Sequence, residues 1–183
     1  MDGFTTRVPD GDTHAREVCD TCGYVAYVNP KIVTGSVVSH DGRILLCRRA
    51  IEPRRGFWTL PAGYMELGET VEEGARREAM EEAGAAIAID GVLAVYSISR
   101  IGQVQVLFRA GFDGPPAIEA GPESLEVGLF AWEDIPWDAL AFPTVHWALH
   151  AWRTAGSGPL GAPAGNPASD PRGVSPEVPG GAS

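Results

Sequence analysis

The sequence predicts an α/β fold, a mixed β-sheet covered by helices on both faces, and three observations lead there. β-rich runs lie before, between and after two helical patterns. The first two runs, Lys31–His40 and Arg43–Arg49, are joined at Asp41-Gly42, a strong tight-hairpin signal. The helical pattern over residues 70–84 carries its own start and stop signals.

In chain order, residues 1–30 read as an N-terminal arm followed by a short hairpin that contains Cys19 and Cys22. The main domain is expected over residues 31–154. After the hairpin come the Leu60-Pro61-Ala62-Gly63 loop and the helix over residues 70–84. Thr70 and Glu73 form a capping box, and Gly84 suits the helix end. Glu72–Arg76 and Glu73–Arg77 are i,i+4 pairs in the favourable orientation. Residues 85–99 read as strand-like stretches broken at Asp90-Gly91. Further strands are expected over Gln103–Phe112 and residues 124–132. A second helix is expected over residues 138–153, interrupted near its start by Pro143. Residues 155–183 are dense in Gly, Pro, Ala and Ser without apolar periodicity, the composition of a disordered tail.

Composition narrows the function. The 183 residues suffice for one full hydrophobic core. Fourteen Lys+Arg against 24 Asp+Glu give a formal charge of −10, which disfavours nucleic acid and anionic membranes as partners. A small phosphate-bearing substrate stays compatible if the acids gather cations. No apolar run approaches the roughly 20 residues of a membrane span, and the N-terminus lacks a secretory pattern, so the expected compartment is cytoplasmic. Three cysteines do not make a disulfide framework. Cys47, in an apolar run, reads as a buried strand cysteine.

The first helix is odd at its far end. Glu78, Glu81 and Glu82 stack on one face at i, i+3, i+4 spacing. Like charges so placed repel by a few tenths of a kcal/mol per pair, and the helix dipole disfavours anions in the last turn. A divalent cation removes both penalties, because a hard metal takes several carboxylate oxygens from one rigid element. Gly74, one turn before Glu78, leaves room for a loop backbone, and the loop at residues 60–63 is the expected neighbour.

From Gly63 to Ala85 the window resembles the Nudix signature, G-x5-E-x7-R-E-U-x-E-E-x-G-U with U a bulky aliphatic residue. Gly63, Glu69, Arg77, Glu78, Glu81, Glu82 and Gly84 match; Ala79 and Ala85 depart at the two packing positions. The resemblance implies a Nudix α/β/α sandwich and a metal-dependent pyrophosphatase that cuts a nucleoside diphosphate linked to another moiety. It implies Mg²⁺ or Mn²⁺ held by Glu81, Glu82 and Glu78, with Glu78 alternatively the base, and by the backbone carbonyl of Ala62. Arg77 would orient a glutamate through a charge-assisted hydrogen bond, and Glu69 would tie loop to helix. A further acid from outside the signature is expected at Glu126 rather than Glu123.

Arg48, Arg49, Arg54 and Phe57 are the candidate substrate contacts, with Trp58 assigned to the core. Stretches such as YVNPK, LLCRRAIEP and IPWDALAFPT are similar to a Nudix subgroup of FAD and ADP-ribose hydrolases, which favours a dinucleotide substrate. By analogy with that family, a homodimer is one expected assembly. Cys19-Asp-Thr-Cys22 is similar to one knuckle of a zinc ribbon. With His14 as a third ligand and a fourth missing, bound zinc and a metal-free hairpin both stay open. The alternative to hydrolysis is a nucleotide-sensing module of the same fold; retention of every signature carboxylate argues against it. An isomerase of that fold would need a cysteine near the site, and Cys47 in an apolar strand offers little for that role.

Overall fold

The computed structural model describes residues 3–168. The chain divides into two compact units, ending and beginning at Pro30 and Lys31.

The first unit is a small antiparallel sheet of β1 (Phe4–Arg7), β2 (Arg16–Cys19) and β3 (Val25–Ala26). Order therefore starts well before the C-x-x-C, where the sequence shows only an arm. Little apolar alternation marks β1. Cross-strand polar pairs support it instead, such as Thr6 Oγ1 donating to Glu17 at 2.5 Å beside the Thr6↔Glu17 register.

The second unit is built on a sheet in the order β10-β5-β4-β9-β8. Its strands are β4 (Lys31–His40), β5 (Arg43–Arg49), β8 (Ile87–Ile98), β9 (Gln103–Phe112) and β10 (Ser124–Phe130). β4 and β9 run parallel and the other neighbours antiparallel, so the sheet is mixed. Two short strands, β6 (Trp58–Thr59) on β5 and β7 (Ala62–Tyr64) on β4, bring in the loop that precedes α1 (Val71–Ala83). α1 covers one face over Val38, Leu45, Cys47, Ile87 and Ala110. α2 (Pro143–Ala155) covers the other over Val37, Leu46, Tyr96 and Leu107. The result is the expected α/β/α sandwich. Small side chains at Ala75, Ala79 and Ala83, all fully buried, set α1 directly on the sheet.

Three expectations are corrected. Asp90-Gly91 is no turn: β8 runs through it, with the register slipping between Ile89 and Gly91. Asp90 is the extra residue of a β-bulge, and its carboxylate accepts a 2.6 Å bond from Arg109 Nε. Pro143 does not interrupt the second helix but starts it, at a position where its missing N–H costs nothing. Residues ahead of it form a short 3-10 turn, Trp137–Ala139.

The third correction concerns the segment assigned to disorder from residue 155. Ala155 ends α2, and residues 156–168 run along the open edge of β8. Ala164 exchanges backbone hydrogen bonds with Leu93 and Val95. The Asn166 amide pairs with both backbone groups of Ser97 at 2.8 Å. Buried Arg109 donates to the carbonyls of Gly156 and Gly158. Composition predicts poor burial, but the segment is held by edge pairing, one guanidinium and the packing of Leu160 and Ala164 on the core. The rest of the expected tail, residues 169–183, lies outside the described residues. Among the described residues no helix is long and apolar enough to cross a membrane.

Arg109→Met keeps the buried bulk but removes the bonds to this segment, and half-exposed Asp90 can rehydrate. Losing hydrogen bonds to a charged group costs roughly 1.5–3 kcal/mol. Urea unfolding should show that loss; an unchanged midpoint would contradict the role given to Arg109.

Candidate metal centre

Helix α1 is started by the predicted capping box: Thr70 Oγ1 accepts from Glu73 N–H at 3.2 Å and Glu73 accepts from Thr70 N–H at 2.7 Å. Glu73 is thereby committed to the cap, so the expected Glu73–Arg77 pair does not form. Arg77 turns instead to the loop and to its own helix. Its Nε and Nη2 donate to Glu69 at 3.0 and 2.8 Å, Nη1 to Glu78 at 2.7 Å and to Glu81 at 3.2 Å, and Nη2 to the Tyr64 carbonyl. Glu69 also accepts from Glu66 N–H. The guanidinium, then the Glu66 N–H, hold the Glu69 carboxyl down at about 2.

Glu78 and Glu82 are buried, at 8% and 6% exposure, whereas the Glu81 side chain is 58% exposed and rests against Arg77. Burial raises the Glu78 carboxyl in spite of Arg77. Burial pushes Glu82 up to about 8, with the charges of Glu78 and Glu123 adding to the shift. The Ala62 N–H, at 3.0 Å, and the field of Arg49 oppose it. A Cβ at Gly63 would collide with the Glu78 carboxylate. The close approach expected at Gly74 is made by Thr34 and Glu69 instead of by the 60–63 loop.

Two acids stand near the start of β10, where a further acid is expected. Glu126 lies on β10 opposite Arg48, in a 3.5 Å exposed ion pair. Glu123, just before the strand, adds a repelling charge at Glu78 and Glu82. The register slip between Ser124 and Glu126 separates the two acids, and no sequence signal announces that bulge.

The NUDIX domain family model matches residues 30–152. The chain belongs to the Nudix family. A second model, Nudix N-terminal, a zinc-ribbon type, matches residues 3–28. The chain is 42% identical to a NUDIX hydrolase of Nitrosomonas europaea of solved structure, with a TM-score of 0.79 over 89% of this chain and 91% of that one. It is 32% identical over 117 residues to the ADP-ribose pyrophosphatase of Methanocaldococcus jannaschii, covering 62% of this chain and 69% of that protein. A MutT-like protein of Streptomyces ambofaciens is 44% identical over 77 residues, 42% of this chain and 48% of its own length. The protein is a Nudix hydrolase.

The Nudix family generally uses Mg²⁺ or Mn²⁺, and the donor chemistry suits a hard cation. Two desolvated carboxylates lie together, and the nearest guanidinium is already shared among three acids. Among the described residues, however, no three His, Cys, Asp or Glu side chains converge on one point. Glu81 rests against Arg77 and Glu82 accepts from the Ala62 N–H.

The candidate substrate contacts of this Nudix hydrolase lie at the end of β5 and in the loop that leads to β6. Arg48 Nε donates to the Gly56 carbonyl, and Arg49 Nε donates to the Pro53 carbonyl. The Arg49 guanidinium lies 5.2 Å over the Phe142 ring and Arg54 lies 5.3 Å over Phe57. Trp58 packs in the core, edge-on to Phe130. Sequence reading missed Phe142, which sits at the α2 N-cap with no side-chain capping bond. It also placed Cys47 away from the chemistry, yet this buried thiol feels the charge of Glu82 and is raised by burial.

In the ribbon, Cys19 and Cys22 are free thiols, and His14 Nδ1 is engaged by Thr13. No third ligand joins the two cysteines among the described residues, so the donors present there do not fit zinc.

Gly63→Ala must displace the Glu78 carboxylate. Misplacement of about 1 Å can cost roughly 100-fold in turnover. A loss of that order in kcat, with thermal stability nearly unchanged, is expected; wild-type kcat would refute the close fit.

Proposed function

We propose that this enzyme hydrolyses a phosphoanhydride bond in a nucleoside diphosphate linked to a second moiety, with a dinucleotide of the FAD or ADP-ribose class as substrate. The observation that carries the reading is the pair of buried, mutually repelling carboxylates, Glu78 and Glu82, on the signature helix. The similarity to a protein named ADP-ribose pyrophosphatase supports the substrate class.

Glu81, Glu82 and the Ala62 carbonyl would hold Mg²⁺ or Mn²⁺, with Glu78 as the base, and Glu123 rather than Glu126 would supply the further acid. When bound, such an ion neutralises charge on the diphosphate and makes water acidic enough to attack near neutral pH. Arg77 positions Glu78 by gripping Oε1, while Oε2 accepts no hydrogen bond from the described residues. That oxygen takes the proton from the attacking water. The water oxygen bonds to one phosphorus, the bridging P–O bond breaks, and a nucleoside monophosphate and a phosphorylated second moiety leave. Arg49 and Arg54 neutralise departing phosphate, and Phe57 offers a ring to a base.

The test is product release from ADP-ribose, FAD, NADH and nucleoside triphosphates with Mg²⁺ or Mn²⁺, beside Glu82→Gln. Cleavage of one dinucleotide, abolished by EDTA and reduced at least 100-fold in the variant, is expected. Folded wild type that binds a nucleotide and cleaves none would overturn the reading in favour of a sensor.

A further inference from the structure

The loop over residues 113–123 grips the end of the signature helix through its backbone. Helix ends leave carbonyls without partners, and α1 has no basic side chain in its last turn. Glu119 N–H donates to the Ala83 carbonyl at 2.8 Å and Gly121 N–H to the Glu82 carbonyl at 3.2 Å. The loop goes on at once to Glu123. Ser124 N–H closes back on the Gly121 carbonyl at 3.0 Å, and Ala50 N–H holds the Glu123 carbonyl at 2.8 Å. One short backbone stretch thus ties the carboxylate-bearing turn of α1, the acid outside the signature, and the start of the arginine-rich β5–β6 loop.

Gly121 is the tightest point of that grip. A Cβ there would fall on the Glu81 carbonyl oxygen, with the Glu82 Cα 3.4 Å away. Those atoms are helix backbone and cannot swing aside as a side chain would. The φ of Gly121 is not positive, so the need for glycine is one of space and not of backbone freedom. Added bulk must push apart the loop that carries Glu123 and the turn that carries Glu81 and Glu82.

We propose that Gly121 is a positioning residue, whose lack of a side chain locks the last turn of α1 to the Glu123 loop and so sets Glu81 and Glu82 against Glu123. The proposal rests on the metal-site reading above. It assigns Gly121 no contact with substrate and no merely structural role: the fold can survive a loosened loop, but the carboxylate spacing cannot.

The experiment is Mn²⁺ binding in the absence of nucleotide, followed through the EPR signal of the free ion, for wild type, Gly121→Ala, Glu123→Gln and the double variant. Disturbing a group that orients metal ligands typically weakens binding about 10–100-fold. Gly121→Ala should weaken Mn²⁺ by about tenfold or more, while its melting temperature stays near wild type. The Glu123→Gln effect should shrink in the Gly121→Ala background, because the alanine has already displaced Glu123. Unchanged Mn²⁺ affinity in folded Gly121→Ala, or strictly additive losses, overturns the proposal alone. Wild type that binds no Mn²⁺ overturns the metal reading and this proposal with it. If Gly121→Ala does not fold, Pro122→Gly loosens the same loop with Gly121 in place. It should weaken Mn²⁺ severalfold, and wild-type affinity in that variant would be the overturning result.

Discussion

Arg77 is the interaction on which the rest of the site depends. Its guanidinium serves Glu69 from the preceding loop, Glu78 and Glu81 from its own helix, and the carbonyl of Tyr64 on β7. A planar fork with five donors can do this where a lysine could not. By taking Glu69 bidentately it fixes the loop to the helix. By taking one oxygen of Glu78 it turns that carboxylate toward Gly63. Its charge is then spent, and Glu82 remains buried with a backbone N–H and a more distant arginine in its favour. The acidic helix end is unfavourable in isolation, and the proposed cation would offset that cost.

The scaffold is arranged to tolerate that load. The capping box and left-handed Gly84 give α1 defined ends without using the signature acids. Alanines on its inner face bring it close to the sheet, and loop N–H groups from Glu119 and Gly121 satisfy the carbonyls that a basic last turn would otherwise serve. On the far side of the sheet, α2 and the segment after it close the second core and the edge of β8. Stability is concentrated in the two cores, while the site holds charges at close quarters.

Much of this was legible in the sequence because it is local. The hairpin at Asp41-Gly42, the capping box and the signature glutamates are short-range patterns, and the structure shows the strands and helix they predict. What escaped is what depends on partners distant in sequence. The bulge at Asp90 is met by Arg109 on the neighbouring strand, which donates to the Asp90 carboxylate. Glu123 and Glu126 are three residues apart, and a register slip against β5 that no local pattern announces lies between them. Residues 156–168 look disordered by composition, since their order comes from an edge strand that composition does not encode. Cys47 was correctly read as buried, but its nearness to Glu82 follows from how β5 passes beneath α1.

In the proposed metal site, Glu82 is held where a carboxylate is favourable only with a cation beside it. The direct measurement is the thermal stability of metal-free protein against pH, compared with Glu82→Gln. A carboxyl raised to about 8 contributes stability that is complete below its ordinary unfolded value and lost as pH rises through 8. Wild type should therefore lose stability relative to Glu82→Gln between about pH 5 and about pH 8, and added Mg²⁺ should restore it in wild type only. Parallel curves for the two proteins, with no differential effect of Mg²⁺, would show that Glu82 is not held in this way.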